Sequence, residues 1–422
     1  MRLQVVHPAE HPGVNDLPLA SPLADWDLNG MHRVLGVHRH EVRLVELDGL
    51  SYVVKELPDE LALREYRLLR GLADDGLPTV EAVAVVTERR RPIDHGPDET
   101  LDGMLITRHL DYSLPYRSLL SGRGLRIPFL GDRLLDALVG LLVRLHLAGF
   151  FWGDCSLSNA LFRRDAGTLA AYVIDVETGE RHQRLTDGQR RLDLMIACDN
   201  VAGGLLDLQE AGRLRAEIDP FAVAEGIERR YRTLWEELTG AGVVGIGDQR
   251  GIQRRLDRLH ELGYDVGELE VVSTADGRQL SFVPRVVEHG FHAERLLRLT
   301  GLRTGENQAR RLLDDIHTFA AESRTRTGVA LPENVAAVRW LDQRFEPIIA
   351  AIPEHLLGRL ESAEIYHQLL EHRWYLSEAS GHDVTITEAL VSYLERVLAS
   401  SPDERVQLDE PTAELPRIEA VR

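Results

Sequence analysis

The chain has 422 residues, 44% apolar and 28% charged, the range of a soluble globular protein with room for two or three domains. Its 49 Lys and Arg face 68 Asp and Glu, a formal net charge of −19, which argues against a nucleic-acid binder and for small-molecule or protein partners. Two cysteines, Cys155 and Cys198, cannot make a disulfide framework, no long apolar run exists to span a membrane, and His7, Pro8 and His11 stand where a signal peptide needs apolar residues, so a cytoplasmic protein is expected.

Residues 1–29, rich in Pro, His and Asp, read as an irregular arm. From Val34 to Leu57 the pattern is strand-like, with a hairpin turn at Asp48-Gly49 between Val42–Leu47 and Tyr52–Lys55. Pro58-Asp59 opens a helix to about Leu72, ended by Gly71 or Gly76, with Leu61, Leu68 and Leu72 on one stripe. Glu65 falls within that stripe, and a carboxylate on a buried face asks for a cation.

The cation on offer is unusual. Lys55 is the sole lysine of the chain, and the other 48 basic residues are arginine. Arginine and lysine are exchangeable on a surface but differ in shape and reach at a phosphate. The triplet Arg89, Arg90 and Arg91 reads instead as a solvated loop.

Short strands follow at Val80–Val86 and Met104–Thr107, then a linker from Asp111 to Gly124. A helix over Asp132–Ala148 is apolar nearly all round, and Gly149 ends it. A compact run from Phe150 to Phe162 holds Asp154 and Asn159, and an apolar strand, Ala170–Ile174, ends at Asp175. Beyond residue 206 helices are expected near 208–238, 250–262, 305–322, 333–351, 355–378 and 386–399, with a hairpin from Leu269 to Val287 turning at Asp276-Gly277.

Lys55 at a strand end, Glu65 on the next helix, Asp154 with Asn159 five later, and Asp175 after a strand come in a set order. In that order the chain resembles the protein-kinase-like superfamily over about residues 30–205. Val53-Val54-Lys55 matches the nucleotide-binding strand, Arg64-Glu65-Tyr66 the helix, Trp152 to Asn159 the catalytic loop, and Ile174-Asp175-Val176-Glu177 the metal segment. Several features depart from protein kinases. No Gly-x-Gly-x-x-Gly is present, Gly36 with His38, Arg39 and His40 being all the candidate loop offers. Trp152-Gly153 replaces His-Arg, Asp175-Val176-Glu177 replaces Asp-Phe-Gly, and no Ala-Pro-Glu follows. These departures resemble the bacterial branch of lipopolysaccharide core kinases, RIO-type kinases and aminoglycoside phosphotransferases. The second half resembles an uncharacterised bacterial family in which a kinase-like part precedes a helical region of unknown function.

The resemblance implies an α+β, bilobal kinase-like fold: a small β-rich N-lobe over 30–110 and a helical C-lobe over 111–205. A mainly helical domain over 206–400 and a disordered acidic tail over 401–422 follow. It implies ATP and Mg2+ as cofactors. Lys55 and Glu65 would hold phosphates, Asp154 would be the base, and Asn159 and Asp175 would hold magnesium through hard oxygens. Glu177 is either a further metal ligand or a strand-end carboxylate facing water. Asp193 is either the brace of the catalytic loop or a surface carboxylate. The expected reaction is phosphoryl transfer to a hydroxyl of a small molecule, sugar or lipid headgroup. A pseudokinase scaffold is the alternative and an atypical protein kinase a weaker one. The C-terminal helices would form the acceptor site or a homodimer surface.

Three further groups read as structural. Cys155 is taken as an apolar filler. His367, Glu371, His372 and Trp374 are taken as polar helix surface, because His367 and His372 are five apart and do not share a face. Arg303, Arg310 and Arg311 are taken as a solvated helix face.

Overall fold

The computed structural model describes residues 1–28, 31–33, 40–93, 97–116, 119, 130–214, 218–239, 242–245, 250, 253–254, 257, 264–273 and 279–405. The small lobe is built from β1 (Arg2–Val5), β2 (His32–Arg33), β3 (Glu41–Leu47), β4 (Leu50–Leu57), α1 (Asp59–Asp74), β5 (Ala82–Thr87), β6 (Arg89–Arg91), β7 (Glu99–Leu101) and β8 (Gly103–Arg108). Six strands form one sheet in the order β1-β5-β8-β4-β3-β2, every neighbour antiparallel. The β3–β4 turn has Asp48 and Gly49 at φ 51° and 74°, the two left-handed residues of a hairpin turn that matches strand twist.

Both faces of this sheet are apolar, so each needs a cover. One face packs against Ala62, Tyr66, Leu69 and Leu72 of α1. The expected stripe is rotated by one position, and Leu61 and Leu68 are only partly buried at its edge. The other face is covered by Val14, Leu17, Leu19, Leu23 and Trp26. The expected irregular arm is therefore a structural layer, beginning with an edge strand, β1. Its apolar residues are interrupted by prolines and follow neither helical nor strand period, which hides the layer from pattern reading.

The larger lobe runs through β9 (Ser113–Pro115), α2 (Leu130–Leu147), β10 (Phe150–Phe151), β11 (Ala160–Asp165), β12 (Thr168–Val173), β13 (Glu180–Arg181), α3 (Asp187–Glu210) and α4 (Pro220–Thr239). The expected linker thus contains a strand, since β9 pairs with β11 in a three-stranded sheet. Helix α2 is buried at Leu134, Leu135, Leu138, Leu141, Leu142 and Leu145 and lies in the same core as the inner face of α1. The expected helix over 208–238 is two helices. Gly212 takes φ 66° after α3, and Asp219 accepts from the Phe221 amide (2.9 Å) to start α4 at Pro220.

The C-terminal part begins with a three-stranded antiparallel sheet, β14 (Gly242–Gly245), β15 (Tyr264–Ser273) and β16 (Gln279–His289), in the order β14-β16-β15. The expected turn at Asp276-Gly277 lies outside the described residues, as does most of the 250–262 helix. Then come α5 (Phe291–Thr300), α6 (Glu306–Thr327), α7 (Glu333–Trp340), a π turn at Leu341–Phe345, α8 (Glu346–Ala350), α9 (Ser362–Ser380) and α10 (Ile386–Arg396). They enclose their own core around Leu312, Ile316, Trp340, Tyr366, Leu369 and Tyr393. Of the expected tail, Glu404 is buried and ion-paired to Arg164 at 2.9 Å, while 406–422 lie outside the described residues. Among the described residues no helix is long and apolar enough to cross a membrane.

Candidate active site

Lys55 lies near the end of β4, between β3 and β8, and its side chain reaches Asp175 of the larger lobe. Its Nζ donates to Glu65 Oε2 (3.0 Å), Asp175 Oδ2 (3.1 Å) and Glu177 Oε2 (3.4 Å). Glu65, from α1, is 1% exposed, so the ion pair sits where solvent hardly reaches. Burial works against the Lys55 ammonium, but the charges of Glu65 and Asp175 outweigh it and raise its pKa. Burial pushes Glu65 up to about 7, opposed by Lys55 and reinforced by Asp175 and Glu177. Three carboxylates thus share one ammonium, and one ligand oxygen from each lies within 4.8 Å of the other two. Such a set of hard oxygens fits a divalent cation such as Mg2+. His40 Nε2 stands 3.4 Å from Glu177 Oε2; Gly36, His38 and Arg39 lie outside the described residues.

The second cluster is the loop between β10 and β11. The side-chain nitrogen of Asn159 donates to Asp154 Oδ2 (3.0 Å) and to the Asp154 carbonyl (2.9 Å). With that nitrogen committed, the amide oxygen of Asn159 is the atom left for a cation. Gly153 takes φ 76°, and a Cβ there would crowd the Phe151 ring and the Thr178 carbonyl at 3.1–3.2 Å, so glycine is required. Asp193, fully buried on α3, accepts from the Trp152 and Gly153 amides at 2.7 and 2.9 Å. His146 Nε2 lies 3.0 Å from Asp193 Oδ2, and its Nδ1 lies 2.6 Å from Tyr231 Oη. Burial lowers the His146 pKa against the pull of Asp193, which favours the neutral ring; a neutral ring facing Asp193 donates from Nε2 and accepts at Nδ1. Asp193 is therefore no surface carboxylate.

Two side chains that sequence reasoning missed tie this site together. Trp152, fully buried, donates its indole N–H to the Asp175 carbonyl (2.8 Å), joining the loop to the Asp175 segment. Asn200, two helix turns beyond Asp193, donates to Asp154 Oδ1 (3.0 Å) and to the Cys155 carbonyl (3.2 Å). The seven-residue step from Asp193 to Asn200, two turns of one helix face, was the available signal. The backbone closes the arrangement, with the Ile174 amide on the Asn159 carbonyl at 3.1 Å.

The other candidates fall elsewhere. Cys155 is fully buried, which pushes its thiol pKa well up, as suits a filler and not a nucleophile. Arg89 is not solvated. It is fully buried on β6, where it bonds Leu19 O at 2.8 Å, the Ser21 and Asp102 carbonyls, and the Glu56 carboxylate. A charge run hides this because only the partners, scattered over the chain, make its burial tolerable. His367 is also buried, not surface, while His372 meets Ser392 at 2.9 Å and Trp374 is exposed. Arg303 and Arg311 are exposed and Arg310 half-buried.

Residues 49–195 match the lipopolysaccharide kinase (Kdo/WaaP) family, and residues 233–398 match a domain of unknown function, DUF4032. No curated protein matches the chain. Among solved structures, one titled "WaaP in complex with acyl carrier protein" shares 23% identity, with 56% of this chain and 100% of that chain covered, but a TM-score of 0.33 carries no argument. Along the chain, a segment similar to the Kdo/WaaP kinase family is thus followed by a segment similar to DUF4032.

Proposed function

We propose that the protein is an ATP- and Mg2+-dependent phosphotransferase acting on a hydroxyl of a small molecule, sugar or lipid headgroup. One observation carries this reading above the others: Lys55, the sole lysine, is held between Glu65 and Asp175, side chains 10 and 120 residues away. An ion pair kept only for stability would not need lysine in a chain that otherwise uses arginine. Magnesium, when bound, offsets charge on the phosphates as the γ-phosphoryl group is transferred. Asp175 and Asn159 would supply its oxygen ligands, with Glu177 as a candidate third. Lys55 would meet the phosphates, and its bond to Glu65 would hold it in line. Asp154 accepts the acceptor's hydroxyl proton; the new bond joins that oxygen to the γ-phosphorus, and the bond from that phosphorus to the β–γ bridging oxygen breaks. The family match favours a sugar or lipid-borne acceptor, and the two free cysteines suit work in the cytoplasm.

The alternative is a nucleotide-holding scaffold without transfer, and the lack of a glycine-rich loop around Gly36 favours it. Thermal-shift measurement with ATP and Mg2+ tests the common part: stabilisation is expected, and an Asp175→Ala change should remove its magnesium-dependent share. ATP turnover that vanishes in Asp154→Ala while binding persists separates enzyme from scaffold. A chain that no nucleotide stabilises would sink both readings.

A further inference from the structure

The hairpin of β11 and β12 carries the site at its base. Its ladder runs from Ala160–Val173 to Asp165–Thr168; Asn159 precedes it, Asp175 lies two past its end, and the Ile174 amide closes the base on Asn159. Val173 is fixed to the small lobe through Pro78 O (3.0 Å) and the Val80 amide (3.3 Å). The tip, where Ala166 and Gly167 take φ 51° and 77°, is about 20 Å away at roughly 3.3 Å per residue.

The C-terminal domain grips that tip. Asp165, 3% exposed, accepts from the Asn307 amide (3.1 Å), the Gln308 amide (2.7 Å) and the Asn307 side chain (3.0 Å). These are first-turn donors of α6, so a carboxylate of one domain caps a helix of the other. A Cβ at Gly305 would run into that carboxylate. Glu364 of α9, also buried, accepts from the Ala166 amide and the Gln308 side chain, both at 3.1 Å. Arg164 makes paired bonds to Glu404, and Arg163 meets Glu361 at 2.8 Å. Sliding the packed domains past each other would leave Asp165 buried without its donors, a costly state, which favours this one register of the contact.

We propose that the DUF4032 domain is a positioning clamp: through α6 and Asp165 it holds the hairpin whose base sets Asn159 against Asp175. The proposal rests on the reading of those two residues as the metal-facing pair. Asp165, Asn307 and Gln308 are then positioning residues, acting on the reaction from the far end of a stiff element.

Hydrogen exchange on the full chain tests it, with Asn307→Ala and Asp165→Asn as variants. Asn307→Ala removes only the side-chain bonds to Asp165 and Thr168 and keeps the backbone donor. The Ile174 amide at the base should exchange at least tenfold faster, with the core around Leu369 and Tyr393 unchanged. The Mg2+ concentration that half-stabilises the ATP complex should rise three- to tenfold, with metal-free ATP binding unaltered. Change confined to residues 165–168 would overturn the clamp, because a merely local contact gives that result. Should Asp165→Asn fail to fold, Asn307→Ala still decides. Should the wild type bind no Mg·ATP, the metal reading falls, while exchange at Ile174 still decides the clamp.

Discussion

Lys55 Nζ lies 3.1 Å from Asp175 Oδ2, joining the small-lobe sheet to the end of the β12 segment across 120 residues of chain. The contact places a compact ammonium beside a carboxylate proposed to face Mg·ATP. A guanidinium is wider, planar and reaches further, and it cannot occupy the point between Glu65 and Asp175 without moving one of them. Lys55→Arg should therefore weaken Mg·ATP binding by about tenfold or more while keeping the charge. Titration calorimetry measures this. Wild-type affinity in that variant would mean that Lys55 is a structural counter-ion and nothing else.

The parts legible in the sequence were those with local signals. The β3–β4 turn is written in Asp48-Gly49, and the buried acid of α1 stands out because Glu65 interrupts an apolar stripe. Order and context single out Asp154, Asn159 and Asp175, and the structure bonds Asn159 to Asp154 and Lys55 to Asp175. What escaped depends on partners distant in sequence. Arg89 looks like any surface arginine until Leu19, Ser21, Glu56 and Asp102 surround it. Asp165 looks like a turn residue until α6 presents its amides. Neither periodicity nor propensity encodes such pairings, because they arise only when segments 70 or 142 residues apart meet.

Asn200 and Asn159 hold the two oxygens of Asp154 from opposite sides. If Asp154 is the proposed base, Asn200 would fix the direction in which its carboxylate faces an acceptor hydroxyl. Asn200→Ala should lower kcat by about 10- to 100-fold, in the range for a misplaced general base, and leave KM for ATP unchanged. The loss should vanish in an Asp154→Ala background, since Asn200 would then have no carboxylate to orient. An additive loss in the double variant would assign Asn200 to packing through Cys155 O.

The raised pKa of Glu65 gives a pH dependence with a definite sign. Unfolded, the group titrates near 4.5; folded, burial first and then Asp175 and Glu177 bring it to about 7 against the pull of Lys55. The folded chain holds the proton more tightly, so the Glu65 contribution to stability is complete below pH 4.5 and is lost as pH rises through 7. His146 runs the other way: burial depresses it, and its contribution is lost as pH falls below its ordinary value of 6.5. Comparing wild type with Glu65→Gln isolates the first effect. The stability difference between them should change by about 1–3 kcal/mol between pH 4.5 and 7, where one pKa unit corresponds to about 1.4 kcal/mol. A difference that stays flat over this interval would mean that Lys55 keeps Glu65 ionised throughout.

Arg89 and Arg91, two positions apart on one short strand, should behave in opposite ways. Arg91 meets Asp25 at 3.0 Å with both side chains about half exposed, a pair that water and salt weaken. Arg91→Ala should change stability by less than about 0.5 kcal/mol. Arg89 is fully buried, and its guanidinium satisfies three backbone carbonyls and Glu56 at once. Arg89→Met keeps volume but strands those acceptors, and breaking such a buried pair costs about 3–5 kcal/mol. Arg89→Lys should recover only part of that, because one ammonium cannot reach carbonyls spread around a planar fork. Urea unfolding of the three variants measures the order. The loss should fall on the layer from Val14 to Trp26, since Leu19 and Ser21 are held by Arg89 and that layer covers the outer face of the sheet carrying Lys55. Equal effects at positions 89 and 91 would show that the layer is held by its apolar contacts alone.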